Sequence, residues 1–221
     1  MQCIKDTIKN INIVIGCNIG CSYCYARMNN NRFHTIDDFN KPVFFENKLK
    51  MLNNKRHTAY LLTGQSDLSG WNEEWKDKVF SKMKENENTQ YIFLTKRPEN
   101  INLKETPDNG WFGVTVTSSK EKTRIDYLRN NIKAKHYHIT FEPMFDDVGK
   151  LDLNNISWIV IGTETGNRKG KISSKREWVF NIYNQAKEKN IPVFMKEDLL
   201  GILNEDEFVQ EFPKEFGGIK W

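Results

Sequence analysis

The chain has 221 residues, with 33 Lys and Arg against 29 Asp and Glu, which gives a formal net charge of +4 at pH 7. Hydrophobic residues make up 38% and aromatic residues 12%, so the composition excludes an intrinsically disordered chain. No apolar run approaches the roughly 20 residues that span a bilayer, and the polar start shows no signal-peptide pattern. These features predict one soluble, cytoplasmic domain over residues 1–221. The small positive charge permits an anionic partner but requires none.

Seven short β-branched runs divide the chain, and most are apolar at successive positions. Such runs are typical of strands that are buried on both faces of a parallel sheet. Segments of helical period lie between them, for example Phe45, Leu49 and Leu52, and the segment from Trp71 to Met83. The predicted strands are 12–16, 59–64, 91–95, 112–116, 138–142, 158–162 and 192–196.

This alternation of strand and helix predicts a βα-repeat α/β architecture. A complete eight-stranded barrel needs ~250 residues, so this length favours an open, partial (β/α) barrel of about six to seven units. No G-x-G-x-x-G follows the first strand, which disfavours a Rossmann sheet. A strand and a helix are expected within 191–221, and capping boxes at Ser118 and Ser174 are expected to open helices. Ligands of such barrels bind at the carboxyl ends of the strands.

Three of the four cysteines, Cys17, Cys21 and Cys24, form a C-x3-C-x2-C pattern directly after the first predicted strand. Thiolates are soft ligands that suit iron–sulfur clusters, zinc or copper(I). Three ligands on one loop leave a fourth position open, as a catalytic metal requires. A structural zinc site with Cys3 or His34 as the fourth ligand is the alternative. Disulfides are not expected in a cytosolic chain of this size.

The loop at 16–25, with Tyr23 in its aromatic position, resembles the cluster loop of the radical S-adenosylmethionine (SAM) superfamily. The Thr-Lys-Arg turn after the third predicted strand is also similar, over a short stretch, to spore photoproduct lyase, which repairs DNA. Four further segments resemble the small phage-associated radical SAM-like proteins and the radical SAM mobile pair proteins of mobile elements, namely 94–98, 111–114, 141–143 and 158–166.

The resemblance implies a radical SAM-type fold and a [4Fe-4S] cluster on Cys17, Cys21 and Cys24. In that superfamily the methionine end of SAM chelates the fourth iron, and one-electron reduction cleaves SAM to a 5′-deoxyadenosyl radical. The resemblance therefore implies an enzyme that acts by radical chemistry on a substrate at the barrel mouth. It also implies an external electron donor such as flavodoxin or ferredoxin, and a partner protein from a neighbouring gene. The substrate stays open between nucleic acid, a nucleotide and another small molecule.

Polar residues after several strands are the expected contacts of SAM. The superfamily has Gly-Gly-Glu after strand two, whereas this chain has Gly64, Gln65, Ser66 and Asp67, of which Ser66 and Asp67 are preferred for the amino group. A plain turn is the alternative for this segment. The other expected cofactor contacts are Tyr23, Arg97, Thr115, Thr117, Ser118, Gly162 and Glu164.

Charged residues at three strand ends are the expected catalytic or substrate-binding groups, because such charges are rarely buried without a partner. These residues are Lys96, Glu142 and Lys196. Arg97, beside Lys96, has a planar fork that suits a carboxylate or a phosphate. Arg124 is either a partner of the SAM carboxylate or a solvated helix residue.

The loop at 168–176 holds five basic residues in nine. It is either a solvated surface loop or a contact for nucleic acid phosphate. A non-catalytic, metal-stabilised nucleic-acid-binding protein is therefore the alternative to the enzyme. Apart from His34 in the alternative zinc site, no role is assigned to the histidines, which are His34, His57, His136 and His138.

Overall fold

The protein is described here by a computed structural model that covers residues 2–53 and 58–217. Within these ranges, no helix is both long and apolar enough to cross a membrane. The α-helices are α1 (Ile4–Thr7), α2 (Tyr25–Phe33), α3 (Glu73–Lys84), α4 (Thr123–Asn131) and α5 (Arg176–Glu188). The strands are β1 (Ile8–Asn10), β2 (Val14–Ile15), β3 (Val43–Phe44), β4 (Ala59–Leu61), β5 (Gln90–Thr95), β6 (Gly110–Thr115), β7 (His136–Phe141), β8 (Ile156–Ile161) and β9 (Val193–Met195).

Seven strands form one parallel sheet in the order β1-β4-β5-β6-β7-β8-β9, so neighbours in the sheet follow one another along the chain. Helices α3, α4 and α5 make three of the crossovers. The crossovers at 96–109 and 142–155, which are fully described, contain no α-helix. The prediction of an α/β protein with an open, half-barrel sheet is confirmed, although not every unit contains a helix.

The first strand of the sheet lies earlier in the chain than predicted. Val14–Ile15, inside the predicted strand 12–16, pairs antiparallel with Val43–Phe44, and the sheet strand is Ile8–Asn10. The apolar run misled the prediction because Val14 and Ile15 are buried beside the sheet rather than within it. The backbone N–H of Gly16 then donates to the carbonyl of Gln65, which brings the cysteine segment alongside the residues that follow β4.

Several predicted helical features differ in detail. The segment with Phe45, Leu49 and Leu52 is a 3-10 helix at Glu46–Asn53 rather than an α-helix. Neither predicted capping box forms: Glu121 accepts from Thr117, and the Ser174 hydroxyl donates to the carbonyl of Met144. Within 191–221 the strand is present, but the described residues after it form 3-10 helices at 197–199, 205–207 and 214–216. Residues 218–221 lie outside the described part of the chain.

Two apolar layers cover the two faces of the sheet, which explains the continuous apolar runs of the strands. On the convex face, α3, α4 and α5 bury side chains such as Val79, Leu128 and Ile182 against the sheet. The concave face carries a second cluster that includes Trp111, Trp158, Phe194 and Phe216.

The two edges of the half-barrel approach each other through the chain ends. The side chain of Gln210 donates to the carbonyls of Gln2 and Met195, and its oxygen accepts from the N–H of Gln2 at 2.7 Å. The Cys3 thiol donates to Glu197 at 3.0 Å. Cys3 therefore joins the two edges of the sheet instead of contributing to the cysteine loop.

Candidate functional site

The three-cysteine loop lies at the carboxyl end of the half-barrel, between β2 and α2. The N–H of Cys17 donates to the carbonyl of Phe39 at 2.6 Å, and the thiol of Cys24 accepts from the N–H of Arg27 at the start of α2. Burial raises the pKa of Cys17 to about 11, and the charges of Asp67, Cys21 and Cys24 add to this rise. The N–H of Cys24 donates to the carbonyl of Cys21 at 3.2 Å, so these two cysteines lie on one tight turn.

The positions of the possible metal ligands distinguish between a metal cluster and a single metal ion as the group that the cysteine loop could bind. Within 2–53 and 58–217, no group of three or more His, Cys, Asp or Glu side chains is placed to hold one metal ion. Neither proposed fourth zinc ligand supports that site, since Cys3 bonds to Glu197 and His34 is an exposed residue that ends α2. A [4Fe-4S] cluster binds each cysteine at a different iron, so its ligands stand farther apart than those of one ion. Three soft thiols on one loop fit that group.

Two tyrosines connect the cysteine loop to the strand ends. The ring of Tyr23 packs edge-on against Phe145, with centroids 5.3 Å apart, and the ammonium of Lys96 lies 5.8 Å from the Tyr23 ring centre. Burial raises the pKa of Tyr23, as does the neighbouring Cys21. The hydroxyl of Tyr25 donates to the carbonyl of Gly64 at 2.5 Å. The loop is therefore held against the segments that follow β4 and β5.

The segment after β4 is largely occupied by contacts within the protein. The hydroxyl of Ser66 accepts from the indole N–H of Trp71 at 3.0 Å. Asp67 is buried, and its carboxylate accepts from the hydroxyls of Ser69 and Thr95 and from the backbone N–H of Lys96. Ser66 and Asp67 were the side chains preferred from the sequence for the amino group of SAM. In the structure, both are hydrogen-bonded to neighbouring residues and stabilise the turn after β4.

An unpartnered polar atom lies beside Gly64. A Cβ atom at this glycine would lie 3.0 Å from Asn12 Oδ1 and 3.1 Å from Asn10 Nδ2, so Gly64 allows both amides to approach the backbone. Asn12 Oδ1 is buried and accepts no hydrogen bond from the described residues. No sequence pattern singles out Asn12, because its side chain reaches Gly64 only through the fold.

At the end of β6, the polar residues serve a local network. Thr117 donates from both its N–H and its hydroxyl to Glu121 Oε2, each at 2.7 Å. Arg124 pairs with Glu121 at 2.8 Å and donates to the carbonyl of Thr115. Arg124 therefore already has a carboxylate partner, and Thr115 contributes a carbonyl to it. Ser118 precedes the next 3-10 helix and does not cap it with its side chain.

Glu142, Lys196 and Asp198 form an acid–base cluster at the ends of β7 and β9. Lys196 forms ion pairs with Glu142 and, at 3.3 Å, with Asp198. Burial opposes the charge of Lys196, but the two carboxylates outweigh it and raise the pKa of the ammonium. Burial also raises the pKa of Asp198. A Cβ atom at Gly162 would lie 3.1 Å from Glu142 Cγ, so this glycine makes room for the cluster.

Two members of this region were missed from the sequence. Asp198 follows Lys196 by two positions and was overlooked because it lies past the predicted strand end. Tyr25 follows the last cysteine directly, and its side chain is 52% exposed, with its hydroxyl bonded to the carbonyl of Gly64. Loss of hydration around this hydroxyl raises its pKa, and the charges of Glu142 and Cys24 add to the rise. The cysteine loop lies beside the segment that carries Glu142, because Tyr23 packs on Phe145, three residues further along the chain.

Glu164 and Arg97, two of the predicted cofactor contacts, form hydrogen bonds with other residues of the protein. Glu164 is buried, and its carboxylate accepts from the guanidinium of Arg168 at 2.5 and 2.8 Å. Arg168 lowers the pKa of Glu164. In the same basic loop, Arg176 pairs with Glu207. Arg97 donates to Asn18 in the cysteine loop at 3.3 Å.

The histidines make no metal site within the described residues. His138 is buried in the concave face with Nε2 3.0 Å from the carbonyl of Phe93, and burial lowers its pKa to about 4. His136 stacks on Trp111 with ring centres 4.3 Å apart. His57 lies outside the described residues.

Comparison with known proteins gives a family but no described relative. No curated protein and no solved structure matches the chain. One family model matches residues 2–218, and its description is Protein of unknown function (DUF5131). Because this match covers nearly the whole chain, the protein belongs to the DUF5131 family.

Proposed function

We propose that the protein is a radical SAM enzyme with a radical SAM-type partial barrel, in which Cys17, Cys21 and Cys24 hold a [4Fe-4S] cluster. The observation that carries the proposal is the three-cysteine loop at the carboxyl end of a parallel half-barrel, in contact with the segments that follow β4 and β7. When bound, the cluster supplies the electron that cleaves SAM to methionine and a 5′-deoxyadenosyl radical.

The residues after β4 orient the amino group of SAM in this proposal. Ser66 and Asp67 are already bonded within the turn, so the side chain of Gln65, the backbone of Gly64 and the unpartnered oxygen of Asn12 are the better contacts. An amide oxygen accepts from an ammonium as a carboxylate does, but without a net charge.

The acid–base cluster positions hydroxyl groups of the cofactor or the substrate. Lys196 stays protonated at neutral pH because Glu142 and Asp198 raise its pKa, so it donates hydrogen bonds rather than accepting a proton. Glu142 supplies acceptors from the same side. Lys96 and Arg97, at the end of β5, attract the anionic part of a substrate. A mouth closed around these groups would exclude water from the reacting atoms.

The proposal also includes an electron donor, a cellular compartment and a partner protein. A cluster of this kind needs an external one-electron donor such as flavodoxin or ferredoxin, and reducing conditions of the cytoplasm suit its thiolate ligands. The resemblance to phage and mobile-element proteins adds a partner protein from a neighbouring gene to the proposal.

Anaerobic reconstitution with iron and sulfide tests the proposal. Reduction in the presence of SAM is expected to yield 5′-deoxyadenosine, and the protein is expected to show the broad visible absorption of an iron–sulfur cluster. Cys21→Ala should lose both signals. Cys3→Ala is the matched control and should keep both, because Cys3 bonds to Glu197 outside the loop.

The alternative of a non-catalytic, metal-stabilised nucleic-acid-binding protein makes the opposite prediction. If the purified protein holds zinc, gains no cluster and forms no 5′-deoxyadenosine, the enzyme proposal fails and the alternative replaces it.

A further inference from the structure

A cleft of about 430 Å³ lies beside the cysteine loop, on the side of α4. Ile19, from between Cys17 and Cys21, forms one wall, and residues that follow β5 and β6 form the others. The cleft is within the size range of small-molecule binding sites. It is distinct from the acid–base cluster of Glu142 and Lys196, neither of which lines it.

The cleft has an excess of positive charge. Its four cations are Lys96, Arg97, Lys120 and Arg124, and two glutamates also line it. Glu121 is neutralised by Arg124 at 2.8 Å. Within the described residues, the other three cations form no ion pair, while the second glutamate, Glu99, is exposed. Unpaired cations around a concave surface focus a field that attracts phosphate.

An exposed aromatic ring stands at the same cleft. Tyr127, on α4, lines it and keeps 45% of its surface exposed to solvent. Exposed rings next to cationic side chains are the combination that proteins use to bind nucleotides, since the ring stacks on a base and the cations hold the phosphate. Charge alone would select any polyanion, whereas the ring adds a preference for a base.

We propose that this cleft binds a nucleotide unit, with the phosphate at Arg97 and Lys120 and the base stacked on Tyr127. Its link to catalysis rests on the proposed function, where it names the substrate class, whereas the binding itself needs neither cluster nor SAM. A free nucleotide and a single-stranded nucleic acid share this chemistry, and the experiment distinguishes them.

Fluorescence anisotropy of a labelled single-stranded DNA oligonucleotide, measured on the full chain across a salt series, tests the proposal. The double variant Arg97→Gln/Lys120→Gln should weaken binding about tenfold and reduce the salt dependence by about one phosphate contact. Tyr127→Ala should weaken it at least about fivefold, and Tyr127→Phe should restore it, because only the ring is required. Lys84→Gln removes one positive charge at the last residue of α3, outside the cleft, and should leave binding unchanged.

Competition identifies the source of the nucleotide. Displacement by a nucleoside monophosphate indicates a free nucleotide, while displacement by unlabelled oligonucleotide alone indicates a single strand. The proposal is overturned by absent binding at low salt, by equal losses in Lys84→Gln and the double variant, or by unchanged binding in Tyr127→Ala. The binding experiment uses protein without iron, sulfide or SAM, so failure of binding and failure of cluster chemistry are separate results.

Discussion

The polar side chains at the barrel mouth divide into those bonded within the protein and those that remain available. Asp67 and Glu164 look alike in sequence, as carboxylates placed after strands, yet both are buried, and both oxygens of each carboxylate already accept hydrogen bonds from neighbours. Asn12 is a less obvious choice, but its amide oxygen is buried without a partner. The partners of each group decide its role, because a carboxylate whose two oxygens are already bonded has little capacity left to accept from a ligand.

The Glu164–Arg168 pair predicts a pH-dependent stability. Arg168 holds the pKa of Glu164 below its usual range, so the stabilisation is present above the unfolded pKa and is lost as pH falls through the lowered folded value. Arg168→Gln leaves a buried carboxylate without its cation, and should destabilise the protein at pH 7. Urea unfolding at several pH values should show the wild type and the variant converging in acid.

Arg176→Gln is the matched control for this pair. Arg176 also pairs with a glutamate, Glu207, but its side chain is 57% exposed, so the loss should be small. Equal stability of Arg168→Gln and the wild type at pH 7 would contradict the prediction.

At the scale of elements, the positions of most strands were predicted correctly, whereas the pairing of the first strand and the helix caps were not. Six of the seven predicted strands lie in the parallel sheet near their expected positions, because burial on both faces leaves a continuous apolar run. The strand at 12–16 failed for the same reason: the run reports burial and not the pairing partner. The predicted cap at Ser174 failed because α5 begins one residue later than expected, with Lys175 at its N-cap, and the Ser174 hydroxyl instead donates to the carbonyl of Met144 across the fold.

Gly113 in β6 provides the test of close packing between neighbouring strands. A Cβ atom here would lie 2.4 Å from the ring of His138, which is fully buried on β7 and cannot move aside easily. Gly113→Ala should therefore destabilise the protein by about 1–3 kcal/mol. Chemical denaturation followed by circular dichroism measures the change.

Gly70→Ala serves as the comparison, since its Cβ atom would meet only Pro42 Cγ, at an ordinary 3.6 Å. That variant should keep the stability of the wild type to within about 0.5 kcal/mol. A Gly113→Ala variant as stable as Gly70→Ala would show that His138 relaxes to admit the methyl group.

At the scale of the whole molecule, the segment after β9 completes the half-barrel. Phe216 is fully buried in the concave face, with its ring centre 4.7 Å from that of Trp111 and 5.2 Å from that of Trp158. Gln210 joins the same segment to the other end of the chain at Gln2. The segment thus fills the concave face that an open sheet would otherwise expose to water.

Phe216→Ala is therefore expected to destabilise the protein by about 3–5 kcal/mol, although the residue lies near the chain end. Phe33→Ala removes the same ring from a site that is 65% exposed and should change stability by less than about 0.5 kcal/mol. Thermal unfolding of the two variants beside the wild type makes the comparison. Similar melting temperatures for both variants would show that the concave face does not depend on this ring.

The sequence by itself determined the α/β class, the parallel sheet and the grouping of three cysteines at a strand end. Apolar periodicity and residue spacing are local properties, so a single chain displays them. Only the tertiary structure decided which polar groups are already bonded, how Lys196 meets Glu142 and Asp198, and why Cys3 stands apart. Those contacts join residues far apart in the chain, such as Cys3 and Glu197, and no local pattern encodes them.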